Sequence, residues 1–187
     1  MLRPAFTLVC LLAGAALAED DIKVSSEAVP GSDVAFNVVE ATVDYPPAEI
    51  WAIVSRCADF SKTMPRIVKS AELSREGDEN SAWTAKCQVT AHLPFPLPDL
   101  TSTTLATHQV EPAVRYVREW NLISGDYTIL QGSWTLVAIA EGKKTQVTYR
   151  LRAKPKISLP SSWIASAQRG ALKDVIAHLR ETLKKPR

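Results

Sequence analysis

From Val34 onward apolar residues recur with two different periods, and the switches between them divide the chain into elements. Val34 to Val43 is rich in β-branched residues and reads as a first strand. Asp44-Tyr45-Pro46-Pro47 stops it, and the prolines open a short helix, Ala48 to Arg56, with Ile50, Ile53 and Val54 on one face. Asp59 caps a second short turn, Phe60 to Thr63, which Pro65 ends. Strand signals then come at regular intervals: Ile67 to Glu76 and Ala82 to Leu93 around the turn Gly77-Asp78-Glu79-Asn80, then Thr101 to Val110 and Val114 to Leu122 around Glu111-Pro112. A last hairpin pairs Thr128 to Ile139 with Thr145 to Ala153 around Glu141-Gly142-Lys143.

In that final strand Thr145, Val147, Tyr149, Leu151 and Ala153 face one way, while Lys144, Gln146, Thr148, Arg150 and Arg152 face the other. The strand before it sets Leu130, Trp134 and Leu136 against Gln131, Ser133 and Thr135. One face is wet and the other covered. Its cover is the stretch Ser158 to Lys185, where Ile164, Ala167, Ala171, Leu172, Val175, Ile176, Leu179 and Leu183 recur at helical spacing. This order predicts an α+β domain in which helices are segregated to one face of a curved antiparallel sheet. Gly170 and Ala171 are small residues in mid-helix and leave room for the sheet or a ligand.

The first eighteen residues stand apart. Arg3 precedes the apolar run Ala5 to Ala16, which is short for a membrane span, and Ala16-Leu17-Ala18 fits a signal-peptidase site. Residues 1–18 are therefore expected to be a cleaved signal peptide, 19–32 a flexible leader, and 33–185 the folded domain. Secretion or a periplasmic location follows from that reading. Removing 18 of the 187 residues leaves 169, enough for one domain with a substantial core. Only Arg3 is lost from 22 basic residues, so 21 stand against 20 acidic ones, a balance that argues against nucleic acid as a partner. The retained cysteines, Cys57 and Cys87, leave two readings open. Either they close a loop of about thirty residues and contribute roughly 3 kcal/mol, or they are two buried thiols.

Several phrases resemble the polyketide cyclase/dehydrase, coenzyme Q-binding and START-like lipid-binding superfamily. Ala41-Thr-Val-Asp-Tyr-Pro-Pro-Ala-Glu-Ile-Trp51, with Asp59-Phe60 and Met64-Pro65, is similar to its opening strand and paired short helices. Gly132-Ser-Trp-Thr-Leu136, Glu141-Gly142 and Thr145-Gln-Val-Thr-Tyr149 resemble its last hairpin, and Ile157-Ser-Leu-Pro-Ser-Ser-Trp-Ile164 the start of its long helix. Pro94 to Asp99 resembles the proline-rich loop of START lipid-transfer domains, without the arginine that often stands before the aspartate there. The resemblance spans about Val34 to Leu183. It implies a helix-grip fold, in which a curved antiparallel sheet wraps a long C-terminal helix, with a cavity between the two. Fold alone does not choose among carriers, sensors and enzymes.

Trp83, Trp120, Trp134, Tyr149 and Trp163 either line such a cavity or fill the core; Ala167 and Ala171 would border it on the helix. The expected partner is a hydrophobic small molecule such as a lipid or isoprenoid quinone, bound by a monomer with transient contact to a membrane surface. The alternative is a cyclase-like enzyme using the same cavity. His92 and His108 are its weak candidates, flanking the proline-rich loop with Asp99 between them. No Gly-x-Ser-x-Gly, His-Glu-x-x-His or phosphate-loop motif is present, and no metal-ligand spacing, so neither metal nor cofactor is expected.

Overall fold

The computed structural model describes residues 22–93, 95–157 and 161–185, with backbone alone for 161–169. Residues 1–18, expected to be a signal peptide, and the side chains of Trp163 and Ala167 lie outside the described residues. Strands β1 (Lys23–Glu27), β2 (Phe36–Val43), β3 (Ile67–Asp78), β4 (Ala82–Ala91), β5 (Leu100–Glu111), β6 (Arg115–Gly125), β7 (Tyr127–Ile139) and β8 (Lys144–Pro155) form one antiparallel sheet in the order β1-β2-β8-β7-β6-β5-β4-β3. Helices α1 (Pro47–Val54) and α2 (Phe60–Thr63) fall between β2 and β3, with a 3₁₀ turn at Cys57–Asp59, and α3 (Ser161–Leu183) ends the chain. This is the α+β helix-grip architecture, an open curved sheet against a long C-terminal helix.

Local chemistry explains the element ends. Pro47 occupies the first turn of α1, where its missing N–H costs nothing. The inward residues of α1, Ile50, Ile53 and Val54, are buried as their spacing predicts, and Trp51 joins them. On α3 the side chains of Leu172, Ile176, Leu179 and Leu183 are buried in the same core. Arg66 to Asp174 (3.1 Å) and Arg180 to the Thr42 carbonyl (2.7 Å) fasten the outer side of α3 to the neighbouring elements.

The leader expected to be loose is partly a strand. Residues Lys23 to Glu27 pair with Phe36 to Glu40 and extend the sheet beyond β2. The wet face of β8 holds the segment down: Arg150 pairs with Glu27, Lys154 with Asp33, and Arg152 donates to the Ser32 hydroxyl at 2.8 Å. These contacts are long-range and leave no periodic signal in residues 19–32.

Cys57 and Cys87 form a disulfide, with Cα atoms 6.1 Å apart. It ties the turn after α1 to the middle of β4.

Candidate functional site

The covered face of the sheet has two halves. In one, α1 lays Trp51 into the sheet, and its ring meets Trp83 (5.6 Å between centroids), His108 (5.8 Å) and Tyr116 (5.5 Å). Leu136, Val147 and Thr145 are fully buried beside them. That half is solid. The other half comprises the C-terminal ends of β4, β6 and β8 and the N-terminal ends of β5 and β7, and there a cavity of about 210 Å³ remains.

Its walls follow from strand alternation. Cys87, Val89 and Ala91 come from β4, Ser102 and Thr104 from β5, Arg118 and Trp120 from β6, Tyr127, Leu130 and Trp134 from β7, and Tyr149, Leu151 and Ala153 from β8. Phe60, Met64, Pro65 and Ile67 close one side, and Val175 of α3 closes another. Tyr149 stacks on Trp134 at 4.3 Å and lies 6.0 Å from Trp120, giving an aromatic wall. Trp120 lies flat against the strand beside it because its cross-strand partner is Gly132. A Cβ there would fall 2.2 Å from Trp120 Cζ2 and 2.6 Å from the Arg150 carbonyl oxygen.

One cation sits in this apolar wall. Arg118 is buried, with its guanidinium 4.8 Å from the Trp120 ring and 5.1 Å from the Phe60 ring. Among the described residues no carboxylate stands within ion-pair distance of it, and its Nε has no hydrogen-bond partner. Burial pushes its pKa down to about 10, so the group stays charged at neutral pH. Burying such a cation costs several kcal/mol, of which each ring face offsets about 0.5–2 kcal/mol. The phenol of Tyr149 is pushed up by burial, with nearby Arg118 acting in the opposite sense, and Tyr127 is pushed up to about 12 by burial. Both phenols are neutral at pH 7.

The sequence candidates separate accordingly. Trp120, Trp134 and Tyr149 line the cavity. Trp83 does not: α1 fills the space before it, and its ring stacks on His108 at 4.2 Å. Ala171 is half-buried and is not among the lining residues; among the described residues of α3 it is Val175, one turn further along, that reaches the cavity. His108 is buried in the solid half, where its Nδ1 lies 3.3 Å from the Trp83 carbonyl, and burial followed by the charge of Arg118 pushes its pKa down to about 3. His92 does meet Asp99, Nδ1 to Oδ1 at 2.8 Å, but both are exposed on the proline-rich loop. Neither histidine lines the cavity. Sequence reasoning missed Arg118, although Tyr116, Arg118 and Trp120 share one strand parity and therefore one face.

A second, wider groove of about 590 Å³ runs between Ile22, the end of β2 and the C-terminal part of α3. Its charges answer one another, Lys144 with Asp44 (2.8 Å) and Lys184 with Glu181 (2.8 Å), beside the apolar side chains of Ile22, Val43, Tyr45 and Ala177. Among the described residues no group of three or more His, Cys, Asp or Glu side chains is placed to hold a metal ion, and no helix is long and apolar enough to cross a membrane.

A curved antiparallel sheet gripping a long helix over an apolar cavity defines the START-like helix-grip class. The chain belongs to the polyketide cyclase/dehydrase and lipid transport family, whose model matches residues 43–180. Among solved structures it is similar to the STAR-related lipid transfer protein of Xanthomonas axonopodis, with 20% identity, coverage of 90% of this chain and 97% of that one, and a TM-score of 0.72. A START superfamily protein of Mycobacterium smegmatis matches at 15% identity over 80% of this chain and 97% of its own, with a TM-score of 0.66. At these identities the likeness is one of fold. No curated protein matches the sequence.

Proposed function

We propose that the chain is an exported binding protein for a hydrophobic small molecule, held in the cavity between the sheet and α3. The observation that carries this reading is the division of the covered face: one half is packed solid by Trp51, while the other keeps an aromatic-walled cavity of about 210 Å³. A binding site of this kind gains affinity from apolar area removed from water, at about 25 cal/mol per Å². A lipid, an isoprenoid quinone or a related molecule would enter from the end that carries the proline-rich loop, where Phe95 is 96% exposed and suited to brief contact with a membrane surface. The proposed binding unit is a monomer. The START and lipid-transfer names carried by the similar structures agree with this reading. The cyclase reading has less support, since neither His92 nor His108 reaches the cavity.

The test is native mass spectrometry of protein purified from a cell that exports it, followed by organic extraction. The expected result is a chain beginning at Glu19 that carries a small apolar or amphipathic molecule. Val175→Trp, which fills the cavity from α3, is expected to lose that molecule while keeping its circular dichroism. Undiminished ligand in Val175→Trp would show that the molecule binds elsewhere.

A further inference from the structure

We propose that the cavity takes a compact amphipath bearing a single carboxylate, with the Arg118 guanidinium as the seat of its head group. This rests on the ligand-binding reading of the cavity and names the chemical class that the site selects.

The argument begins with an unbalanced charge. Arg118 is 4% exposed, lines the cavity, and among the described residues faces no carboxylate. The titratable and charged groups around it do not compensate. His108, its cross-strand partner on β5, is neutral at pH 7, as are the phenols of Tyr149 and Tyr127. Arg75 forms a cluster with Glu72 and Glu79, and neither of these carboxylates stands within ion-pair distance of Arg118. The chain thus holds a cation in an apolar recess, an arrangement that a ligand anion would complete.

Geometry narrows the anion. The rings of Trp120 and Phe60 engage the guanidinium carbon without consuming any N–H. The planar fork of donors is therefore left for an acceptor, and a carboxylate matches that fork with two parallel hydrogen bonds. Leu130, Leu151, Val89 and Trp134 supply apolar walls for a tail. Size narrows the ligand further: a cavity of about 210 Å³ suits a small-molecule tail of moderate length. A medium-length fatty carboxylate fits that space.

The experiment compares octanoate with octan-1-ol, which share the tail and differ in the head. Both are titrated into the full chain, stripped of endogenous ligand by hydrophobic chromatography, with tryptophan fluorescence and calorimetry as readouts. The wild-type protein is expected to bind octanoate at least tenfold more tightly. Arg118→Met should abolish the preference while keeping octan-1-ol affinity, and Arg118→Lys should retain part of it. Because the substitutions sit in the core, a second measurement needs only the wild type. The carboxyl ¹³C resonance of bound octanoate should remain that of the ionised form at a pH where free octanoate is protonated. Equal affinities for the two probes in the wild type would overturn the carboxylate assignment and leave the carrier reading standing. Binding of neither probe would overturn both.

Discussion

Buried His108 makes the stability of this domain depend on pH in a calculable way. The ring is 1% exposed, stacked on Trp83, and hydrogen-bonded through Nδ1 to the Trp83 carbonyl. The cations Arg118 and Arg75 face it, and only backbone groups at Trp83 and Ser55 favour its protonated form. Its pKa is about 3 in the folded protein against an ordinary 6.5. The unfolded chain therefore takes up a proton near pH 6.5 that the native chain refuses until about pH 3. Stability is full above pH 6.5 and falls through that window as the pH drops, at a limiting slope of about 1.4 kcal/mol per pH unit. Between pH 7 and pH 5 the loss from this one group is about 2 kcal/mol. With a urea slope of about 2 kcal/mol/M, the denaturation midpoint should move down by about 1 M.

The assay is urea unfolding by circular dichroism at pH 7, 6 and 5 for the wild type and for His108→Gln, whose amide can still donate to the Trp83 carbonyl. The two proteins differ at this one position, so the difference between the two curves isolates His108. The difference should shrink in favour of the variant by about 2 kcal/mol from pH 7 to pH 5. Parallel pH profiles would refute the reasoning, because they would mean that His108 titrates alike in the folded and unfolded states.

Other consequences are as direct. Gly132→Ala forces Trp120 off its strand and should cost about 1–3 kcal/mol, read by thermal unfolding, with a change in tryptophan emission as the cavity wall shifts. Replacing both Cys57 and Cys87 by alanine removes a crosslink spanning 30 residues and should lower stability by about 3–4 kcal/mol in chemical denaturation. Arg118→Met removes an uncompensated buried cation and should leave stability unchanged or raise it by about 1–4 kcal/mol, measured on ligand-free protein. A marked loss of stability in that variant would point to a structural partner for the guanidinium.

The alternation of β7 and β8 makes the covered face of the sheet legible in the amino-acid order alone, and with it the inward direction of Trp134 and Tyr149. Helical spacing likewise marks Leu172, Ile176, Leu179 and Leu183 as the buried stripe of α3. Which inward residues meet a void is not legible in that order. Trp83 and Trp120 are both inward tryptophans on neighbouring parts of one sheet, and only the seat of α1 decides that one is core and the other is wall. That seat depends on long-range packing, which local periodicity does not encode. Arg118 is hidden for a different reason. It lies between Val117 and Glu119 in a strand that also carries Arg115, and in composition it resembles any surface charge. Its parity with Tyr116 and Trp120 is the available signal.

The two halves of the covered face also explain how one small domain can be stable and still keep a hole. The disulfide, Trp51 and the aromatic cluster around Trp83 concentrate packing at one end of the sheet, where His108 is sealed in neutral form. Burial there supplies stability that does not depend on what fills the other end. The cavity end can then carry features that oppose stability: an open volume, a buried and a half-buried phenol, and a cation without a counter-ion among the described residues. Such features persist where the surrounding structure over-determines them, and they gather where a ligand completes the packing and the charge. On that argument the solid half is the scaffold and the Arg118 half is the proposed site. Substitutions should divide the same way, with Trp83 or Trp51 changes unfolding the domain and Val175 or Arg118 changes altering what it holds.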